Sequence, residues 1–276
     1  MQNLLDAMLA EKELLGEKIS MSGLSEAQVT LLQEKKVLEE LRGQVKISKA
    51  DRAPWIFLDH PLRLPERESS VKLVLVMTDK GDVTLNGNKL GGKTPFALPS
   101  ALNAPAKKPD IAVLSDTLAG LKAEWEEKAN AEEKALAEGK TPPAGTKLVR
   151  PFDSYIEIRV QPNAPAWYLA WALSAIDESG LSNPVLVVRS GGAIPRKGML
   201  PFPLGRSINK VAKVAVKKAG PEMPKDPITV DTLVKMIPDD GLTVQELAKA
   251  IDQVGGCKED PCGSLQGAFI VARWDD

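Results

Sequence analysis

The sequence predicts an α+β fold: a small mixed sheet with helices packed mainly on one face, preceded by an N-terminal helical segment and followed by a C-terminal α/β extension. Three observations lead there. Residues 71–77 (Val-Lys-Leu-Val-Leu-Val-Met), the turn Asp79-Lys80-Gly81-Asp82 and Val83-Thr84-Leu85 read as two strands of a hairpin. Residues 154–160 alternate apolar and polar, the mark of a half-buried strand, and a helical run over 165–179 leads from them to the strand 185–189. Such a strand–helix–strand crossover makes its strands parallel and lays the helix on one sheet face.

The remaining elements follow in order. Residues 1–50 read as helices, with a capping-box pattern at Ser25-Glu26-Ala27-Gln28. Leu24, Leu31, Leu38 and Val45 recur every seventh position, which fits a coiled-coil seam or an amphipathic helix packed on its own domain. Pro54, Pro61 and Pro65 make residues 51–68 an extended connector, because each proline excludes the helical conformation from the residue before it. Residues 91–110 are loop, and 115–138 form a helix whose mixed glutamates and lysines give a solvated face. Beyond Ser190-Gly191-Gly192 we expect helices at 207–218 and 243–254, the second opened by the capping box Thr243-Val244-Gln245-Glu246. Short strands are expected at 228–230 and 269–274. The domain reading is thus 1–50 helical, 51–192 an α+β domain with a helical insertion at 91–150, and 193–276 an α/β extension.

Charge and composition exclude some classes of function. Lys plus Arg number 36 and Asp plus Glu 37, so no net field draws in nucleic acid or an anionic membrane. No run approaches the roughly 20 apolar residues of a membrane span, and Met1 to Asp6 lacks the basic and apolar regions of a secretory signal. Any export or anchoring segment is expected outside this sequence.

Few residues carry chemistry. The single histidine, His60, follows Asp59, but neighbours in an extended segment point in opposite directions and do not form a catalytic pair. Gly87 to Thr94 matches the phosphate-loop pattern G-x-x-x-x-G-K-T letter for letter. Its context is wrong: the strand before it is a hairpin arm, and Pro95 and Pro99 stop a helix from starting after Lys93-Thr94. Cys257 and Cys262 lie five apart with no histidine near, too few ligands for a zinc site. They read as a disulfide in an oxidising compartment, or as two reduced thiols. No cofactor and no metal is expected. Trp167, Tyr168 and Trp171 concentrate three of the 12 aromatic residues in five positions, with both tryptophans on one helix face. We take them as a candidate partner-binding face, although a core stripe has the same spacing.

The order hairpin, strand, helix, strand resembles the periplasmic domain of the ExbD/TolR biopolymer-transport family. Leu62-Arg63-Leu64-Pro65 is similar to that family's segment before its first strand, and Asp82 to Gly87 to its hairpin. Residues 155–160, 172–181 and 185–188 are similar to its closing strand, helix and strand. The resemblance spans residues 62–190. It implies a non-catalytic periplasmic module of the cell envelope that forms a homodimer and binds protein partners of an inner-membrane stator complex. Its membrane link would run only through a segment absent from this sequence. The family's acidic residue after the third strand is replaced by Gln161-Pro162-Asn163, its membrane helix is absent, and no ion-conducting residue is carried over.

Overall fold

A computed structural model describes residues 55–58, 73–92, 94–139, 155–190, 197–205, 210–255 and 267–274. The chain divides into two compact units between Asp51 and Arg52, and every described residue lies in the second. The N-terminal helices, His60, Leu62 to Pro65, Lys93, Gly191, Gly192, Cys257 and Cys262 lie outside the described residues. Among the described residues no helix is long and apolar enough to cross a membrane.

The first sheet holds β1 (Phe57–Leu58), β2 (Leu73–Met77), β3 (Val83–Leu85), β4 (Asn88–Lys89), β5 (Tyr155–Val160), β6 (Asn183–Ser190) and β7 (Lys197–Pro201). Its order is β1-β6-β5-β2-β3-β4, with β7 also on β6. The expected hairpin is β2–β3, and β2, β5 and β6 run parallel. Part of the proline connector is itself strand, because β1 pairs in parallel with the end of β6. Helix α1 (Ala112–Ala137) precedes β5, and α2 (Trp167–Glu178) joins β5 to β6. The α1 helix buries only Leu114, Ser115 and Leu118, leaving its glutamates and lysines outside, whereas α2 is buried nearly all round. A helix apolar on every face has to be covered on every face. Around it pack α1, the strand Ala268–Val271 and the helix Val244–Gly255.

The C-terminal region forms a second, four-stranded sheet from β8 (Lys210–Lys217), β9 (Gly220–Pro221), β10 (Thr232–Pro238) and β11 (Ala268–Val271), in the order β11-β10-β8-β9. Helix α3 (Val244–Gly255) follows β10 at the expected place. Two expectations are corrected. Residues 210–217 are strand rather than helix: Val214 and Val216 alternate into the core, and pairing with β10 overrides the helical propensity of the lysines and alanines. The strand expected at 228–230 falls instead at β10, where Val234 and Met236 are fully buried and Val230 is exposed.

The two sheets are built on one plan. In the first, the hairpin β2–β3 precedes β5, helix α2 and β6, with sheet order β6-β5-β2-β3. In the second, the hairpin β8–β9 precedes β10, helix α3 and β11, with order β11-β10-β8-β9. One ungapped alignment sets Pro165 against Thr243. It carries Ile156, Ile158 and Val160 onto Val234, Met236 and Pro238, and Leu169, Ala170, Leu173 and Ile176 onto Leu247, Ala248, Ile251 and Val254. All of these residues are buried. The repeats meet at equivalent points. Ala166 N–H donates to the Leu242 carbonyl and Val244 N–H to the Ala164 carbonyl, both at 2.8 Å, around an antiparallel bridge between Pro165 and Thr243. Exchanging the repeats exchanges these two bonds, so a local two-fold axis passes between them. Both repeats feed one continuous core.

Candidate functional site

The aromatic cluster on α2 supplies the three largest fully buried side chains among the described residues, Trp167, Trp171 and Tyr168. Trp167, Tyr168 and Trp171 are each at most 2% exposed. The expectation of a partner-binding face at these three residues is therefore corrected: they are core. Each buried ring still has a polar tip that needs a partner. Trp167 Nε1 donates to the Ala101 carbonyl at 3.0 Å, the Tyr168 hydroxyl to Pro99 at 2.9 Å and Trp171 Nε1 to Asp110 at 3.2 Å. Trp274 Nε1 donates to Pro105 at 3.1 Å, and its ring meets Trp167 edge-on at 6.0 Å. Phe96 stacks on Trp171 at 5.5 Å. Four ring donors thus hold the Pro- and Ala-rich loop over residues 99–110 against the repeat core. That loop has little secondary structure of its own, so these bonds satisfy carbonyls that no ladder reaches.

Burial pushes the Tyr168 phenol up to about 12, with the Asp79 and Asp82 carboxylates adding to the shift. The folded state therefore favours the protonated phenol, while the unfolded chain ionises it near about 10. Its contribution is complete below about pH 10 and is lost as pH rises from there toward about 12. Urea titrations across that window are expected to show falling stability. Tyr168→Phe should flatten that part of the slope relative to wild type.

Gly87 to Thr94 is not arranged as a phosphate loop. Gly87 sits in the β3–β4 turn, β3 is an antiparallel hairpin arm, and the next helix begins only at Ala112. Gly91 and Gly92 have φ of +86° and +59°. A Cβ on Gly91 would stand 2.4 Å from the Thr94 carbonyl oxygen, so this glycine serves a tight turn.

Two features escaped the sequence reading. Glu157 is 4% exposed and is held by Arg159 at 2.9 Å across the face of β5 opposite Ile156 and Ile158. Their i,i+2 spacing places them on one face and was legible as a pair. Tyr155, Val185 and Met199 form a second apolar cluster, with the Tyr155 hydroxyl 3.1 Å from the Met199 sulfur. Both faces of the first sheet are thus buried in part. The other feature is the junction of the repeats. Thr243 and Glu246 form the predicted capping box, Thr243 N–H donating to Glu246 Oε2 at 2.8 Å and Glu246 N–H to Thr243 Oγ1 at 3.3 Å. Beside it the Gln245 amide acts as a strand substitute. It donates to the Phe57 carbonyl at 2.7 Å and accepts from the Phe57 N–H at 2.8 Å. Thr243→Ala is expected to cost about 1–2 kcal/mol, measurable as a lower urea midpoint with unchanged slope.

Comparison with protein-family models, with curated proteins and with solved structures finds no match to this chain.

Proposed function

We propose that the chain is a non-catalytic interaction module of an ExbD/TolR-like envelope complex, working on the periplasmic side through protein partners. The observation that carries the reading is the assembly of its separated pieces. The hairpin β2–β3 and the unit β5–α2–β6 lie in one sheet, with β2 beside β5 and β5 beside β6, despite the long insertion between them. The same plan recurs in the second sheet. The two-fold pairing that the resemblance implies between chains has a counterpart inside this one, at Pro165 and Thr243. Partner contacts then fall on strand edges rather than on the aromatic cluster, since a free edge offers backbone donors and acceptors to an extended chain.

The test is topological. Expressed from its own chromosomal reading frame, the protein is expected to be digested by protease added to spheroplasts and to co-purify with an inner-membrane stator subunit. Full protection in intact spheroplasts, with digestion only after lysis, would overturn the reading. Binding of ATP or GTP with magnesium that is lost in Lys93→Ala would assign the chain to nucleotide chemistry instead.

A further inference from the structure

We infer that the outer face of the second sheet, built on β8 and β10, is a docking site for an amphipathic helix of a protein partner that carries acidic residues within its apolar stripe. The inference rests on the reading of the chain as an interaction module and adds a contact to it.

Alternation sorts the two faces of the sheet. Val214, Val216, Val234 and Met236 point into the core that Leu247 and Ile251 of α3 share. The residues between them point the other way. The parallel register sets these in three rows: Val211 beside Leu233, Lys213 beside Lys235, and Ala215 beside Ile237. The face is accessible. Val211 is 56% exposed and Lys213 is exposed, while Ala215, Leu233, Lys235 and Ile237 are half-buried. The segment 222–230 is tied to β8 by Glu222 N–H, which donates to the Ala215 carbonyl at 2.8 Å, and by Lys210 Nζ, which donates to the Pro227 carbonyl at 3.4 Å. It carries Met223 and Val230, 61% and 76% exposed. The three most exposed large apolar side chains among the described residues thus gather around β8. Apolar residues scattered singly over a surface need no explanation, but a grouping marks a contact.

The first repeat shows the same face covered. Its alignment with the second sets Tyr155 against Leu233 and Glu157 against Lys235. Tyr155 lies in an apolar cluster with Val185 and Met199, and Glu157 is buried against Arg159. The second repeat has two lysines side by side instead, and adjacent like charges in a sheet repel each other. Among the described residues no acidic side chain pairs with either lysine. A carboxylate entering from a partner would offset both. The chain as a whole has a net charge of −1, so an acidic segment is drawn to this face and not to the molecule at large. A second copy would bring its own lysines to the same rows.

The rows fix the partner's pattern. They follow one another every two residues along the strands, about 7 Å apart. A helix lying along the strands presents residues i, i+4 and i+7 on one face, at about 6 and 10.5 Å from the first. Apolar side chains at i and i+7 then meet the Val211 and Ile237 rows, and an acidic one at i+4 meets the lysines.

The probe is a fluorescent, acetylated peptide of three repeats of Leu-Ala-Gln-Ala-Glu-Ala-Gln, titrated into the full chain by anisotropy. Saturable binding is expected, weakened about tenfold or more by Lys213→Glu with Lys235→Glu, and likewise by Val211→Asp. Lys249→Glu, the same change of charge on the exposed side of α3, should leave affinity unaltered. The doubly reversed variant should in turn bind the peptide with lysine in place of glutamate. No binding, indifference to the lysine reversals, or an equal loss in Lys249→Glu would overturn the inference. Self-association of the free chain that Val211→Asp abolishes would overturn it by making a second copy the occupant. Flotation with phosphatidylglycerol vesicles, without peptide binding, would overturn it by making a membrane the occupant. The protease and co-purification results stand whichever way the peptide behaves, so failure here is distinct from failure of the proposed function.

Discussion

Trp171→Ala is expected to destabilise the protein by about 3–5 kcal/mol, the range for removing a large aromatic from a packed core. The side chain is fully buried, stacks on Phe96 and donates to the Asp110 carbonyl. Truncation removes the ring's packing, leaves a cavity and deprives the loop over 99–110 of one of its anchors. Against a total stability of about 5–15 kcal/mol that is a large share. Trp171→Phe separates the contributions: it keeps most of the stack and loses the N–H, so its cost should be nearer 1–2 kcal/mol. Urea unfolding followed by circular dichroism reads both. An alanine variant with an unshifted midpoint would return Trp171 to the surface and restore the aromatic face as a partner contact.

Where backbone pattern and burial agreed, the sequence was readable. The alternation of residues 155–160 and the β-branched run ending at Met77 announced β5 and β2, and glycine or capping signals placed the ends of α2 and α3 to within two residues. Residues 210–217 misled because Lys-Val-Ala-Lys-Val-Ala-Val-Lys satisfies helical and strand periods alike, and only pairing with a strand more than a dozen residues away decides between them. The α2 aromatics misled for another reason. A stripe of rings at i and i+4 looks the same whether a partner or the protein's own loop covers it, and the covering loop has no periodicity to announce itself. The duplication was invisible to letter-by-letter reading because aligned positions keep burial rather than identity. Leu169 and Leu247 match, but Trp171 aligns with Lys249, since α2 is covered on all sides and α3 on one.

That asymmetry extends beyond the helices. The last strand of the first repeat is flanked by β7, whereas among the described residues no strand pairs with the outer side of β11. The first repeat is the scaffold to which the second is joined, through the reciprocal bonds at Ala166 and Val244.

Gly81→Ala tests that scaffold where it is least tolerant, with an expected cost of about 3–5 kcal/mol. Gly81 has φ of +88°, and a Cβ placed on it would stand 1.9 Å from the Leu98 carbonyl oxygen. Positive φ costs a residue bearing a Cβ about 1–2 kcal/mol. The clash adds to this, because the segment cannot retreat cheaply. Leu98 N–H donates to the Gly81 carbonyl at 2.9 Å, Asp82 bridges Ala97, and the Leu98 side chain is buried in the core. Relief therefore means losing a backbone hydrogen bond, worth about 1 kcal/mol, and withdrawing part of a leucine from the interior. Gly87→Ala is the internal control. Its φ of +82° is nearly the same, yet nothing lies within 4 Å of the added carbon, so it should cost only the conformational strain. The difference between the two alanine variants measures the contact between the hairpin turn and the loop behind it. Equal urea midpoints for the two would mean that Leu98 does not rest on the turn, and that the aromatic donors alone hold the loop to the core.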